Sequence, residues 1–166
     1  MAAALVTAAL LSFGGLVASL ILGMRISSSP DVLRHTTTSI FATLLTLLTH
    51  SMMMFYFIGK GKAVREAVTE AGLGGDFVAR ISLARRPVFS MATLAMMLTI
   101  AAAIVGGGVD VGSIPAGVHS LLAWSAVIAN AAAIRTELVA LAASSRVVAD
   151  VDRLIGAGLP EHSPGL

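Results

Sequence analysis

Charged side chains are absent from four long stretches of this sequence. Residues 1–24, 36–59, 87–109 and 111–134 contain no Asp, Glu, Lys or Arg, which gives runs of 24, 24, 23 and 24 residues. A helix rises about 1.5 Å per residue, so each run can cross a hydrocarbon core of about 30 Å. The runs do not alternate polar and apolar residues as the strands of a membrane barrel do. The pattern therefore predicts an all-α integral membrane protein with four transmembrane helices in a bundle.

Composition indicates the same class of protein. Hydrophobic residues make up 57% of the 166 residues and charged residues 12%, and a soluble domain of this size cannot cover so many apolar side chains. The sequence has no cysteine, which excludes disulfides and thiolate metal sites. The net charge of +2 is small and dispersed, so we expect no nucleic-acid partner. The first run is longer than the apolar part of a signal peptide, and we interpret it as a retained span.

The basic residues predict the orientation of the bundle. Nine of the eleven Lys and Arg residues lie in the segment 60–86 or after residue 134. The positive-inside rule places this segment and both termini in the cytoplasm, and we expect the membrane to be a bacterial inner membrane. No internal repeat is visible in the sequence. The predicted transmembrane domain covers residues 1–158, with spans at about 2–24, 36–59, 87–109 and 114–137, a cytoplasmic loop at 60–86 and a tail at 159–166.

Two segments outside the spans are also predicted to be helical. Asp76 is a candidate helix start, and Pro87 is expected to end that short helix, which we expect to lie on the membrane surface. The fourth helix is predicted to extend to about residue 155, because apolar residues recur there at helical spacing. These residues are Leu138, Leu141, Val148, Val151 and Ile155. The apolar face of this extension needs a partner, either the 76–86 segment or another subunit.

Polar residues follow one face of the second predicted helix at steps of three and four. They are Thr36, Ser39, Thr43, Thr46 and His50. The fourth helix has a similar line that contains His119, Asn130 and Glu137. Polar groups inside a membrane avoid lipid, so the two lines predict a buried polar seam between these helices. We expect His50 to be neutral and buried at a depth between Asn130 and Glu137, and Glu137 to interact with Arg135.

Histidines near the outer ends of the helices are the candidate ligands. His35, His119, Asp31 and Asp110 are residue types that bind Zn²⁺ or Cu²⁺, but their spacing across separate helices is not diagnostic, and we predict no metal-ion site. Haem b needs two axial ligands from different helices, and His35 and His119 have matching depth. His50, about 22 Å deeper than His35, is a third candidate.

Three functions are compatible with these residues. The favoured one is a small non-catalytic subunit that packs with other subunits into a larger membrane complex, of the respiratory or electron-transfer type. The second is an electron-transfer bundle that binds b-type haem or a quinone. The third is a small transport or proton-relay protein that uses His50 with Glu137 or Asn130. Neither predicted membrane face offers a set of nucleophile, acid and base, so we expect no catalytic residues.

Overall fold

The computed structural model describes residues 1–158, which form four helices joined by short loops. They are α1 (Ala2–Gly23), α2 (Ser29–Glu70), α3 (Phe77–Asp110) and α4 (Ala116–Gly158). Each helix is long and apolar enough to cross a membrane. The predicted fold class is therefore confirmed as a four-helix membrane bundle. The predicted tail at 159–166 lies outside the described residues.

The helices pack as two antiparallel hairpins that lie side by side. The most extensive interface joins α3 to α4, and the next joins α1 to α2, while α2 also packs against α3. The contact between α1 and α4 is smaller, and α2 touches α4 across the bundle. All four helices contribute to the end of the bundle that carries the 24–28 and 111–115 loops, which we call the histidine end. We call the opposite end, with the 71–76 loop, the extension end.

Small residues form most of the interior of the bundle, and large apolar residues face outward. The buried side chains include Ala9, Ala42, Ala92, Ala95, Ala102, Ala126, Ala129 and Ala133. The large exposed side chains include Leu10, Phe41, Phe55, Ile104, Leu121 and Ile128. Helices in lipid gain nothing from hiding Leu or Phe, and small residues let their backbones approach closely. This distribution is the one expected of a bundle whose outer surface is covered by lipid.

At the extension end, α2, α3 and α4 continue further than α1, which begins at Ala2. Their contact surface is an apolar cluster of Val64, Phe77, Ile81, Val147 and Val151. Arg80 and Asp150 join α3 to α4 beside this cluster, with 2.9 Å between Nη2 and Oδ2. Of the two partners that the sequence left open for the α4 extension, the structure shows the 76–86 segment, together with the end of α2.

The sequence predicts a loop at 60–86 that contains a separate surface helix, and the structure differs from this prediction. α2 continues to Glu70 and α3 begins at Phe77, which leaves only a short turn between them. Pro87 lies inside α3 and does not end a helix before it. Ile81 and Val88 are seven residues apart, and both are buried on the same face of α3. Their burial keeps the helix continuous, although Pro87 removes one backbone donor.

Candidate functional site

A buried hydrogen-bond network joins three helices in the middle of the bundle. His50 on α2 lies between two side chains of α4, with 2.7 Å from its Nδ1 to Glu137 Oε1 and 2.9 Å from its Nε2 to Asn130 Oδ1. Asn130 also reaches Thr99 on α3, with 2.9 Å between Nδ2 and Oγ1. His50, Asn130 and Glu137 are each only 1% exposed. We call these four residues the buried network.

The donors and acceptors of this network are determined by its geometry. The Asn130 amide donates through Nδ2 to Thr99 Oγ1 and to the Ala126 carbonyl, so its Oδ1 is the acceptor that faces His50. An amide oxygen cannot donate, and therefore Nε2 of His50 carries a proton and donates to Asn130. The remaining contact, between Nδ1 of His50 and Glu137, then has to hold one proton between an imidazole nitrogen and a carboxylate oxygen.

The network brings a carboxyl group into a region otherwise free of charge. An isolated carboxylate in an apolar interior is very costly, and pairing with an imidazole reduces that cost. Several buried polar atoms among residues 1–158 nevertheless have no hydrogen-bond partner. They are Glu137 Oε2 and the hydroxyl oxygens of Thr46, Thr49 and Ser144. Unsatisfied groups of this kind commonly mark a place where water or a ligand binds.

A second group of polar side chains lies at the histidine end. The imidazole rings of His35 on α2 and His119 on α4 meet with 6.0 Å between their centroids and an angle of 73° between their planes. Nδ1 of His35 lies 3.0 Å from the Ser19 carbonyl oxygen of α1, and Nδ1 of His119 lies 3.1 Å from the Ala102 carbonyl oxygen of α3. A carbonyl only accepts, so both rings donate through Nδ1. We call His35 and His119 the cavity histidines.

A glycine makes room for each cavity histidine on the neighbouring helix. A Cβ atom at Gly23 would lie 2.9 Å from Cε1 of His35, and one at Gly106 would lie 3.0 Å from Cε1 of His119. Gly23 comes four residues after the carbonyl that His35 contacts, and Gly106 is related to His119 in the same way. The two hairpins thus hold their histidines by equivalent contacts.

The cavity histidines line a cavity of about 370 Å³. Residues from all four helices surround it, and most of them are small or apolar. Thr36, Ser39 and Thr43 of the predicted seam face it, and Thr99 lies at its deep end. Among the described residues, the cavity is therefore adjacent to the buried network, and Thr99 is the one residue that contributes to both.

The structure divides the predicted site residues into two groups. His35 and His119 come together as the depth comparison predicted, whereas His50 lies elsewhere with both ring nitrogens in hydrogen bonds. His50 therefore cannot be a ligand beside the other two. The predicted seam divides in the same way, because Thr46 is buried near His50 while Thr36, Ser39 and Thr43 reach the cavity.

The acidic residues do not form a metal cluster with these histidines. Asp31 is held within its own turn by hydrogen bonds from Ser27 and Ser28 and by Arg34. Asp110 accepts a long hydrogen bond of 3.4 Å from Thr36. Within residues 1–158, no group of three or more His, Cys, Asp or Glu side chains is arranged to hold a metal ion. Glu137 pairs with His50 and not with Arg135, which is exposed.

Sequence reasoning missed the place of Thr99 in the buried network and the unpaired hydroxyls of Thr49 and Ser144. Thr99 shares a helix face with Ala92, Ala103 and Gly106, and such a face is typical of helix packing. The signal available in the sequence was that Thr99 is the hydroxyl on this apolar face of the third span. Thr49 and Ser144 were missed because each belongs to a helical segment with many other small polar residues.

Comparison with protein-family models, curated proteins and solved structures finds no match to this chain. The fold and the two groups of polar residues nevertheless define its class. It is a small four-helix integral membrane protein with a histidine-lined cavity at one end and a separate buried network near its middle.

Proposed function

We propose that this protein binds a b-type haem between His35 and His119 and carries electrons in a membrane complex. The observation that carries the proposal is the position of the two imidazoles, which come from different helices and meet 6.0 Å apart in one cavity. Four-helix bundles commonly build cofactor sites from side chains on facing helices.

The protonation of the cavity histidines suits axial ligands. Each donates its Nδ1 proton to a backbone carbonyl, so in the neutral ring Nε2 has the free electron pair. A hydrogen bond from the non-ligating nitrogen to a carbonyl is the arrangement that commonly orients metal-binding histidines. A bond from imidazole nitrogen to metal is about 2.0 Å long. The separation of 6.0 Å between the ring centroids would leave room for one metal ion between the two histidines.

The cavity favours a haem over a bare metal ion. Zn²⁺ and Cu²⁺ sites in proteins use three or four ligands, and the described residues bring only two histidines together here. A porphyrin supplies the other four ligands itself, and it needs the apolar space that the cavity provides. Gly107, Ala103 and Ala123 line this space without filling it.

A haem with two histidine ligands can carry an electron but has no open position for a substrate. Such a protein exchanges electrons with partners, which supports the role of a non-catalytic subunit in an electron-transfer complex within a lipid bilayer. The distribution of basic residues supports an orientation with the extension end in the cytoplasm and the cavity histidines near the opposite face.

The experiment is to express the protein, purify it in detergent and record its reduced-minus-oxidised spectrum. We expect the absorption of a six-coordinate haem b, at about one haem per chain. His35→Ala and His119→Ala should each remove it. His162→Ala is the matched control, because it also removes one of the four histidines but not one assigned to the haem, and it should leave the spectrum unchanged.

Two other results would contradict the proposal. A colourless protein that also fails to bind added haemin, but stays with stable membrane partners, would indicate a purely structural subunit. A colourless protein that retains a quinone would assign the cavity to that ligand.

A further inference from the structure

We propose that His50 and Glu137 form a proton-binding site that takes up and releases protons at Oε2 of Glu137 and not through Asn130 and Thr99. The proposal does not depend on haem. It rests on the direction of the hydrogen bonds in the buried network and on the buried polar atoms that have no partner.

The first step concerns the number of protons in the pair. Nε2 of His50 is already protonated, because it donates to Asn130 Oδ1, so one further proton lies in the 2.7 Å contact between Nδ1 and Glu137 Oε1. That proton is bound either to nitrogen, giving imidazolium and carboxylate, or to oxygen, giving neutral imidazole and carboxylic acid. Both forms have no net charge. Uptake of a proton gives the pair a charge of +1, and release gives −1.

The second step excludes a proton path from His50 through Asn130. The hydrogen bonds of this series point the same way: His50 donates to Asn130, Asn130 to Thr99, and Thr99 to the Ala95 carbonyl, with 2.8 Å in the last bond. A primary amide does not readily accept and pass on a proton, and the series ends on a carbonyl. Asn130 and Thr99 therefore do not carry protons between His50 and the cavity.

The third step identifies the atom that exchanges protons. Glu137 Oε2 is buried and has no hydrogen-bond partner among the described residues, and the same is true of the hydroxyls of Thr46 and Thr49 on α2. Buried water typically binds to polar groups left unsatisfied in this way. We infer that water bound at Glu137 Oε2 carries the exchanged proton.

The surrounding charges leave this pair in control of the local net charge. The spans of α1, α2 and α3 have no charged side chain, as the sequence shows for residues 1–24, 36–59 and 87–109. On α4 the nearest charged side chain is Arg135, which is exposed on the outer surface. The charge at the centre of the bundle therefore changes when Glu137 and His50 bind or release a proton.

Infrared spectroscopy of the protein in lipid bilayers tests the proton site. We expect a pH change to alter a carboxylic-acid C=O band, and Glu137→Gln should abolish that change because its amide keeps a hydrogen-bonding group but cannot bind a proton. Glu66→Gln is the matched control, since Glu66 is exposed, and it should leave the band intact. If no Glu137-dependent band changes over the pH range in which the protein stays folded, the pair is a fixed structural contact and the proposal is wrong.

Discussion

The contact between His50 and Glu137 predicts strong energetic coupling between the two side chains. Changing His50 to Leu leaves a buried carboxyl group without its partner, and removal of one member of a buried ionic pair costs about 3–5 kcal/mol. Changing Glu137 to Leu leaves an imidazole that can stay neutral, and a single unsatisfied nitrogen costs about 1–3 kcal/mol. If the two sites were independent, the double variant would lose about 4–8 kcal/mol, the sum of these two estimates.

We expect the double variant His50→Leu with Glu137→Leu to lose much less than that sum. A buried ion pair replaced by apolar residues of similar volume is often neutral in stability. The double variant still leaves Oδ1 of Asn130 without its donor, which is Nε2 of His50 at 2.9 Å in the unchanged protein. This unsatisfied acceptor costs about 1–3 kcal/mol of stability. The coupling energy, which is the sum of the single losses minus the loss of the double variant, is therefore expected to be at least about 1 kcal/mol.

The assay is unfolding of the purified protein in mixed micelles of mild detergent and dodecyl sulfate, followed by circular dichroism. The control cycle uses Lys62→Ala and Glu66→Ala, an exposed pair with 3.6 Å between Nζ and Oε1, for which coupling of at most about 0.5 kcal/mol is expected. Additive losses at His50 and Glu137, within about 0.5 kcal/mol, would refute the buried contact.

Three further predictions concern the cavity, the protons and the topology. Gly106→Ala should weaken haem binding by about tenfold, or about 1.4 kcal/mol, because its Cβ would lie 3.0 Å from His119, whereas Gly14→Ala should not, since Gly14 does not line the cavity and nothing lies within 4 Å of a Cβ there. Nitrogen-15 NMR of histidine-labelled apoprotein should show both cavity histidines protonated at Nδ1, while His50 keeps its Nε2 proton; a cavity histidine protonated only at Nε2 would contradict the hydrogen bonds. Reporter fusions after Lys62 and after Asp110 should read opposite sides of the membrane, and the same side for both would refute the topology.

The four helices could be predicted from the sequence because the absence of charge is a strong signal over more than twenty residues. The bounds of the helices were less certain at the extension end. Pro87 predicted a break, but burial of Ile81 and Val88 on one face keeps α3 continuous. A local preference of this kind is smaller than the free energy of packing an apolar face, and the sequence alone does not show which of the two dominates.

The two sites were predictable in part, for a related reason. Helical spacing and depth brought His35 to the level of His119 and His50 to the level of Asn130 and Glu137, because a helix has a fixed rise. The partner of Glu137 was not predictable from depth, since that choice depends on how the helices are rotated. Neither spacing nor composition indicates that the Asn130 amide donates to Thr99, and this single bond fixes the proton on His50.

The most direct test of the proposed function is electron paramagnetic resonance of the ferric protein after loading with haem. The account predicts a low-spin signal in the wild-type protein, strongly anisotropic because the two imidazole planes meet at 73°. Either His35→Ala or His119→Ala should convert it to a high-spin signal, because one axial ligand is lost. A high-spin wild-type protein, or a low-spin signal that survives in both variants, would contradict ligation by these two histidines.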